Sequence, residues 1–121
     1  MNLKALLFVF LGGGLGSSFR YLIGLWLKPY SFPWGTLTAN SIGCLLIGLF
    51  VGYFNRMGLI KDPLALFFVV GFCGGLTTFS SFSLDLFHLS KGSSLVYPLF
   101  YFVGTVVLGL LSLVFGLWMS K

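Results

Sequence analysis

Residues 71–83 read Gly71-Phe72-Cys73-Gly74-Gly75-Leu76-Thr77-Thr78-Phe79-Ser80-Ser81-Phe82-Ser83. They sit inside an apolar run, Leu64–Leu89, of 26 residues. A membrane helix needs roughly 20 such residues. Two adjacent glycines followed by β-branched and hydroxyl residues make a poor helix. In hydrocarbon, broken backbone is tolerated only where it is buried in protein or lines a wet cavity. The stretch therefore predicts a membrane span interrupted at mid-depth. Discontinuous helices place carbonyls at one broken end and N–H groups at the other, which suits an ion. A plain kink, its hydroxyls bonded back to carbonyls one turn earlier, is the simpler alternative. Thr77, Thr78, Ser80, Ser81 and Ser83 are more hydroxyls than a kink needs. An ion-handling site is the reading they favour.

Three further runs have spanning length: Leu3–Leu27, Trp34–Phe54 and Leu95–Met119. Together the four take up most of the 121 residues. The expectation is an all-α membrane protein, one four-span unit over residues 1–121 with no extramembrane domain. Charged residues make up 7%, against about 25% in soluble domains, and mean hydropathy is +1.06. A soluble enzyme and a disulfide scaffold are excluded on that ground. The net charge of +5 does not signal nucleic acid, because the basic residues stand singly at span ends, as interface anchors do. The N-terminal run lacks a small-residue cleavage site and reads as a retained first helix. Cys44 and Cys73 lie inside spans without metal-ligand spacing and read as small packing residues.

The loops are short. Pro29 and Pro33 disfavour helix between the first two spans, and Asp62-Pro63 is set to open a helix. Gly12 and Gly16, Gly48 and Gly52, Gly71 and Gly75 are spaced four apart. Such faces let membrane helices approach closely, although the span-three glycines suggest more than packing. Lys4, Arg56, Lys61 and Lys121 share one side of the membrane, with Lys28 and Lys91 on the other and Arg20 deeper in span one. This bias is weak. It allows an ordinary single orientation with cytoplasmic termini, or insertion both ways and pairing of inverted copies.

Several side chains within the spans could carry chemistry. Phe79 and Phe82 share a helical face, and ring edges are positive, so a small desolvated anion could approach them. Packing is their ordinary role. Asn40 can donate two hydrogen bonds, to an anion or merely between helices. Arg20 is an intramembrane charge, functional by default. Tyr101, Thr105 and Ser112 fall near one stripe of span four, and packing contacts explain them about as well. Asp85 and His88 are explained by exposure at a span end. No carboxylate lies deep in a span, which argues against a proton-coupled small drug exporter. No nucleophile–base pair, metal cluster or phosphate loop is present. What remains suits a passive anion pathway rather than an enzyme.

Three blocks resemble the bacterial Fluc (CrcB) fluoride channel family. They are Gly12-Gly13-Gly14-Leu15-Gly16 with Arg20-Tyr21, Gly35-Thr36-Leu37 with Asn40 and Gly43, and the 71–83 stretch. The resemblance implies passive fluoride export by a multi-pass protein of the bacterial cytoplasmic membrane. It implies an antiparallel, dual-topology dimer with two pores. It implies a structural Na+ on the dimer axis, held by the backbone carbonyls of Gly74 and Thr77. By position, Asn40, Phe79, Ser80, Ser81, Phe82 and Tyr101 are implied to line or adjoin the pore, with Arg20 in the vestibule. Thr105 and Ser112, taken from the span-four stripe rather than from the resemblance, are the further candidates for the pore lining. The family places serine or threonine further along span four, where this chain has Gly109, Leu110 and Leu113, with Ser112 displaced. That departure leaves two assemblies open, an antiparallel homodimer and a pairing with a paralogous subunit.

Overall fold

The computed structural model describes residues 2–28 and 30–121. The expectation at Pro29 lies outside them. Helix α1 (Leu3–Trp26) is capped by the Asn2 side chain, which accepts from the backbone N–H groups of Lys4 and Ala5 at 3.0 and 3.3 Å. Helix α2 is Trp34–Arg56. The third span, Pro63–Ser90, is assembled from pieces. These are α3 (Pro63–Leu66), a wide π-helical stretch (Phe67–Cys73), α4 (Gly74–Leu76) and, beyond a break, α5 (Phe79–Ser90). Helix α6 (Val96–Met119) completes the chain. Four helical segments are long and apolar enough to cross a membrane.

Local chemistry sets these limits. Asp62 adopts an extended conformation and its carboxylate accepts from Leu64 N–H at 2.9 Å, with Pro63 in the first helical turn. Helix α2 runs two residues past the apolar run, to Arg56, whose guanidinium lies 5.8 Å from the Tyr53 ring centroid.

Glycine contacts hold the spans together. A Cβ on Gly12 would strike the Phe67 carbonyl oxygen, and one on Gly16 the Phe72 carbonyl oxygen. From the other side, Gly71 faces Val9 and Gly12, and Gly75 faces Gly13 and Ser17. Gly48 and Gly116 make the same backbone-to-backbone approach between α2 and α6. Without a hydrophobic effect between spans, close packing of this kind drives association. Two of the span-three glycines, Gly71 and Gly75, are thus packing residues. Gly74 is the one facing open space.

Helix α6 packs on α2 and α5 and, among the described residues, leaves the first half of span three untouched. A cleft therefore runs between that half and α6, with α2 as its floor. The interior at the α5 end is small: Leu37, Phe82 and Tyr101, flanked by Phe32, Leu86 and Leu89. Most other large apolar side chains point outward, as the lipid face of a membrane protein requires.

Candidate functional site

The break falls at Thr77 and Thr78. Their backbones are extended, with φ/ψ of −86°/155° and −152°/123°. Thr77 closes the first half: its N–H and its hydroxyl both donate to the Cys73 carbonyl, at 3.0 and 2.9 Å. Thr78 opens the second half as an N-cap, its hydroxyl accepting from Ser81 N–H at 3.0 Å. The hydroxyls of Thr78 and Ser80 lie 3.1 Å apart.

Asn40 of α2 clasps the break. Its amide nitrogen donates to the Thr78 carbonyl at 3.1 Å, and its amide oxygen accepts from Thr78 N–H at 2.7 Å. In an unbroken helix Thr78 N–H would bond to Gly74, and Ser81 N–H to Thr77. Both donors are diverted here, so the carbonyls of Gly74 and Thr77 lose their helical partners. The neighbouring Gly75 carbonyl gains others. Arg20 donates to it from Nε at 3.1 Å, and Ser17 from its hydroxyl at 3.5 Å. An arginine in mid-span is costly. Here its positive charge meets the negative end of a half-helix.

These elements enclose a groove of about 490 Å³ at the head of the cleft. Asn40, Gly74, Thr77, Phe79, Phe82 and Thr105 line it, and Cys44, Thr78, Val106 and Gly109 complete its walls. The Phe79 and Phe82 rings stand 5.8 Å apart, inclined at 55°. Phe82 is buried, whereas Phe79 is 78% exposed. The Thr105 hydroxyl oxygen is buried and has no hydrogen-bond partner among the described residues.

Arg20 and Ser81 belong to a second groove of about 320 Å³, with Lys28 and Thr36. Tyr101 lines neither groove. It is fully buried behind Phe82, with ring centroids 5.2 Å apart, and its hydroxyl donates to Asp85 Oδ2 at 3.0 Å. The exposure reading of Asp85 is thereby corrected, because its carboxylate has a specific partner. His88 is exposed, as expected. Ser112 is half-buried and lines none of these grooves. Cys44, read from the sequence as a small packing residue, is found on the groove wall. Its position four residues after Asn40, on the same helical face, was the available signal.

Comparison with known proteins bears on this geometry. Residues 7–117 match the family described as CrcB-like protein, Camphor Resistance (CrcB). The chain belongs to the CrcB family. Among its CrcB relatives, a protein of Phocaeicola vulgatus is 44% identical over 98% of this chain and 100% of its own length. One from Nitrobacter winogradskyi is 46% identical over 97% of this chain and 95% of its own. One from Helicobacter acinonychis is 41% identical over 100% of this chain and 98% of its own. Each of these relatives bears the name fluoride-specific ion channel FluC.

Proposed function

We propose that this chain is the subunit of a fluoride-selective channel that lets fluoride leave the cell passively across the cytoplasmic membrane. The observation that carries the reading is the clasped break beside a groove of donors and ring edges, in a chain whose full-length relatives are named fluoride channels. Fluoride is small and strongly hydrated, so a pore must replace its water with closely spaced donors. Amide, hydroxyl and ring-edge groups do so, and a narrow bore disfavours chloride. Fluoride enters cells as neutral HF and is held inside as the anion. An inside-negative potential drives it out at about 2.3 kcal/mol per 100 mV, with no coupling ion. Channel conduction has no chemical step, so the protein is not an enzyme.

The working assembly in this reading is an antiparallel homodimer. Phe79 projects from the break at mid-span, and among the described residues α6 makes no contact with the first half of span three, which leaves the cleft between them open. An inverted second copy would supply both the cover and the opposing ring. A pairing with a paralogous subunit is the second reading, favoured by Ser112 standing outside the groove and by the bare Gly109. Release of fluoride from liposomes containing this chain alone supports the homodimer. Release only after a second polypeptide is added supports the pairing.

The residues also suit a structural Na+. Carbonyl oxygens are the ligands a hard cation takes; that of Gly74 is freed by the Asn40 clasp and that of Thr77 by the Thr78 cap, with open space beside Gly74 among the described residues. Such an ion would supply fixed positive charge near the anion route. Exchange of all sodium for a bulky organic cation is expected to lower fluoride flux or dissociate the dimer, read by efflux and by size-exclusion chromatography. Unchanged flux and mass would count against the ion.

The ring edges are tested separately. Phe79→Ile and Phe82→Ile are each expected to reduce fluoride efflux to the level of protein-free liposomes while the dimer stays intact. Efflux at the parent rate would remove the rings from the mechanism.

A further inference from the structure

The α6 wall of the groove carries one polar side chain, Thr105. One turn on, at Gly109, that wall is bare. The place is not empty of polar atoms, because Cys44 reaches it from α2. Its Sγ stands 3.5 Å from where a Cβ on Gly109 would be, an ordinary van der Waals separation. Cys44 is only half-buried, lines the groove one helical turn beyond Asn40, and is a free thiol. The neighbouring Thr105 hydroxyl oxygen is buried without a partner among the described residues, and Thr105 borders the same groove as Cys44.

We infer that Cys44 is a pore residue, its thiol supplying from α2 the donor that α6 lacks at Gly109. A thiol is a weak donor, but it is the polar atom at hand over the bare turn. Asn40, Thr105 and Cys44 then stand together on the walls of one groove, beside the break. The inference rests on the fluoride-channel reading, and the test separates the two.

The experiment measures fluoride release from liposomes containing the parent chain, Cys44→Ala, Cys44→Ser, and the double variant Cys44→Ala with Gly109→Ser. Cys44→Ala is expected to slow release about tenfold, the cost of one missing donor on the route. Cys44→Ser keeps a donor and is expected to conduct at least as fast as the parent. The double variant restores a hydroxyl from the opposite wall, where the 3.5 Å separation leaves room, and is expected to recover most of the lost rate. A merely structural cysteine would not be rescued from across the groove. Cys73→Ala serves as the control: Cys73 is 1% exposed and lines no part of the groove, so its loss should leave fluoride-over-chloride selectivity unchanged. A parent-like rate for Cys44→Ala, or failure of the double variant to recover while remaining folded, overturns the inference. Absence of release from the parent chain overturns the channel reading instead.

Discussion

Asn40→Asp is expected to lower fluoride efflux at least about a hundredfold, with the protein still folded. The substitution keeps the oxygen that accepts from Thr78 N–H at 2.7 Å. It replaces the nitrogen that donates to the Thr78 carbonyl at 3.1 Å with a second acceptor, so two oxygens face each other. Leaving such a group unpaired costs about 1–3 kcal/mol, and the upper end of that range is about a hundredfold in rate. The carboxylate also sets a negative charge in a groove proposed to carry an anion. Efflux by fluoride electrode and dimer integrity by size-exclusion chromatography check the prediction. Parent-like efflux would show that Asn40 neither borders the route nor needs its donor to hold the break. Asn40→Ala sharpens the result, because both bonds are lost. Thr78 N–H is then free to return to the Gly74 carbonyl, closing the break as well as removing the donor.

The second large effect concerns the fold. Gly16→Val is expected to destabilise the subunit by about 3 kcal/mol, in the upper range for overpacking. The added Cβ would collide with the Phe72 carbonyl oxygen and lie 2.8 Å from Leu76 N, both backbone atoms. Neither can move without shifting the segment that leads into the break. Gly14→Ala, two residues away on the same helix, is the contrast. Among the described residues, nothing beyond its own helix turn lies within 4 Å of its added Cβ, and alanine gains about 1 kcal/mol of helix propensity over glycine. It is expected to be neutral or stabilising. Thermal unfolding in detergent, followed by loss of the monodisperse peak, distinguishes the two. Equal midpoints would mean that the α1 glycine face does not carry the packing.

Much of this architecture was legible in the chain because membrane spans are written in long apolar runs. The four runs match the observed helices to within two residues at every end. The largest shift, at Arg56, arises because a helix can outlast its apolar stretch when a basic side chain lies back along it. The break was legible from Gly74-Gly75 and Thr77-Thr78, since the first pair weakens helix and the second offers caps. The π-helical turn at Phe67–Cys73 was not. Its residues are almost uniformly apolar, and a register change is silent where every face looks alike. The partners of polar side chains were hidden for a different reason. Whether Asn40 meets Thr78, Arg20 meets Gly75 or Tyr101 meets Asp85 depends on how the helices rotate against one another, and periodicity does not fix that. Asp85 looked like an interface residue because nothing within its own helix pairs with it.

The groove also shows why fold and site must be argued separately. Asn40, Phe79, Phe82 and Thr105 come together on three different segments, whereas Ser112, on the same stripe as Thr105, stays apart. A stripe along a single helix does not say how far a neighbouring helix follows it. Here α6, among the described residues, makes no contact with the first half of span three, and Asn40 and Cys44 of α2 complete the groove wall there.

Release of fluoride and of chloride from identical liposomes holding only this chain tests the central claim most directly, with the inside-negative potential set by a potassium ionophore. The expected result is rapid fluoride release with chloride held at the background of protein-free liposomes. Comparable release of both anions, or of neither, would contradict a fluoride-selective pathway built on the clasped break.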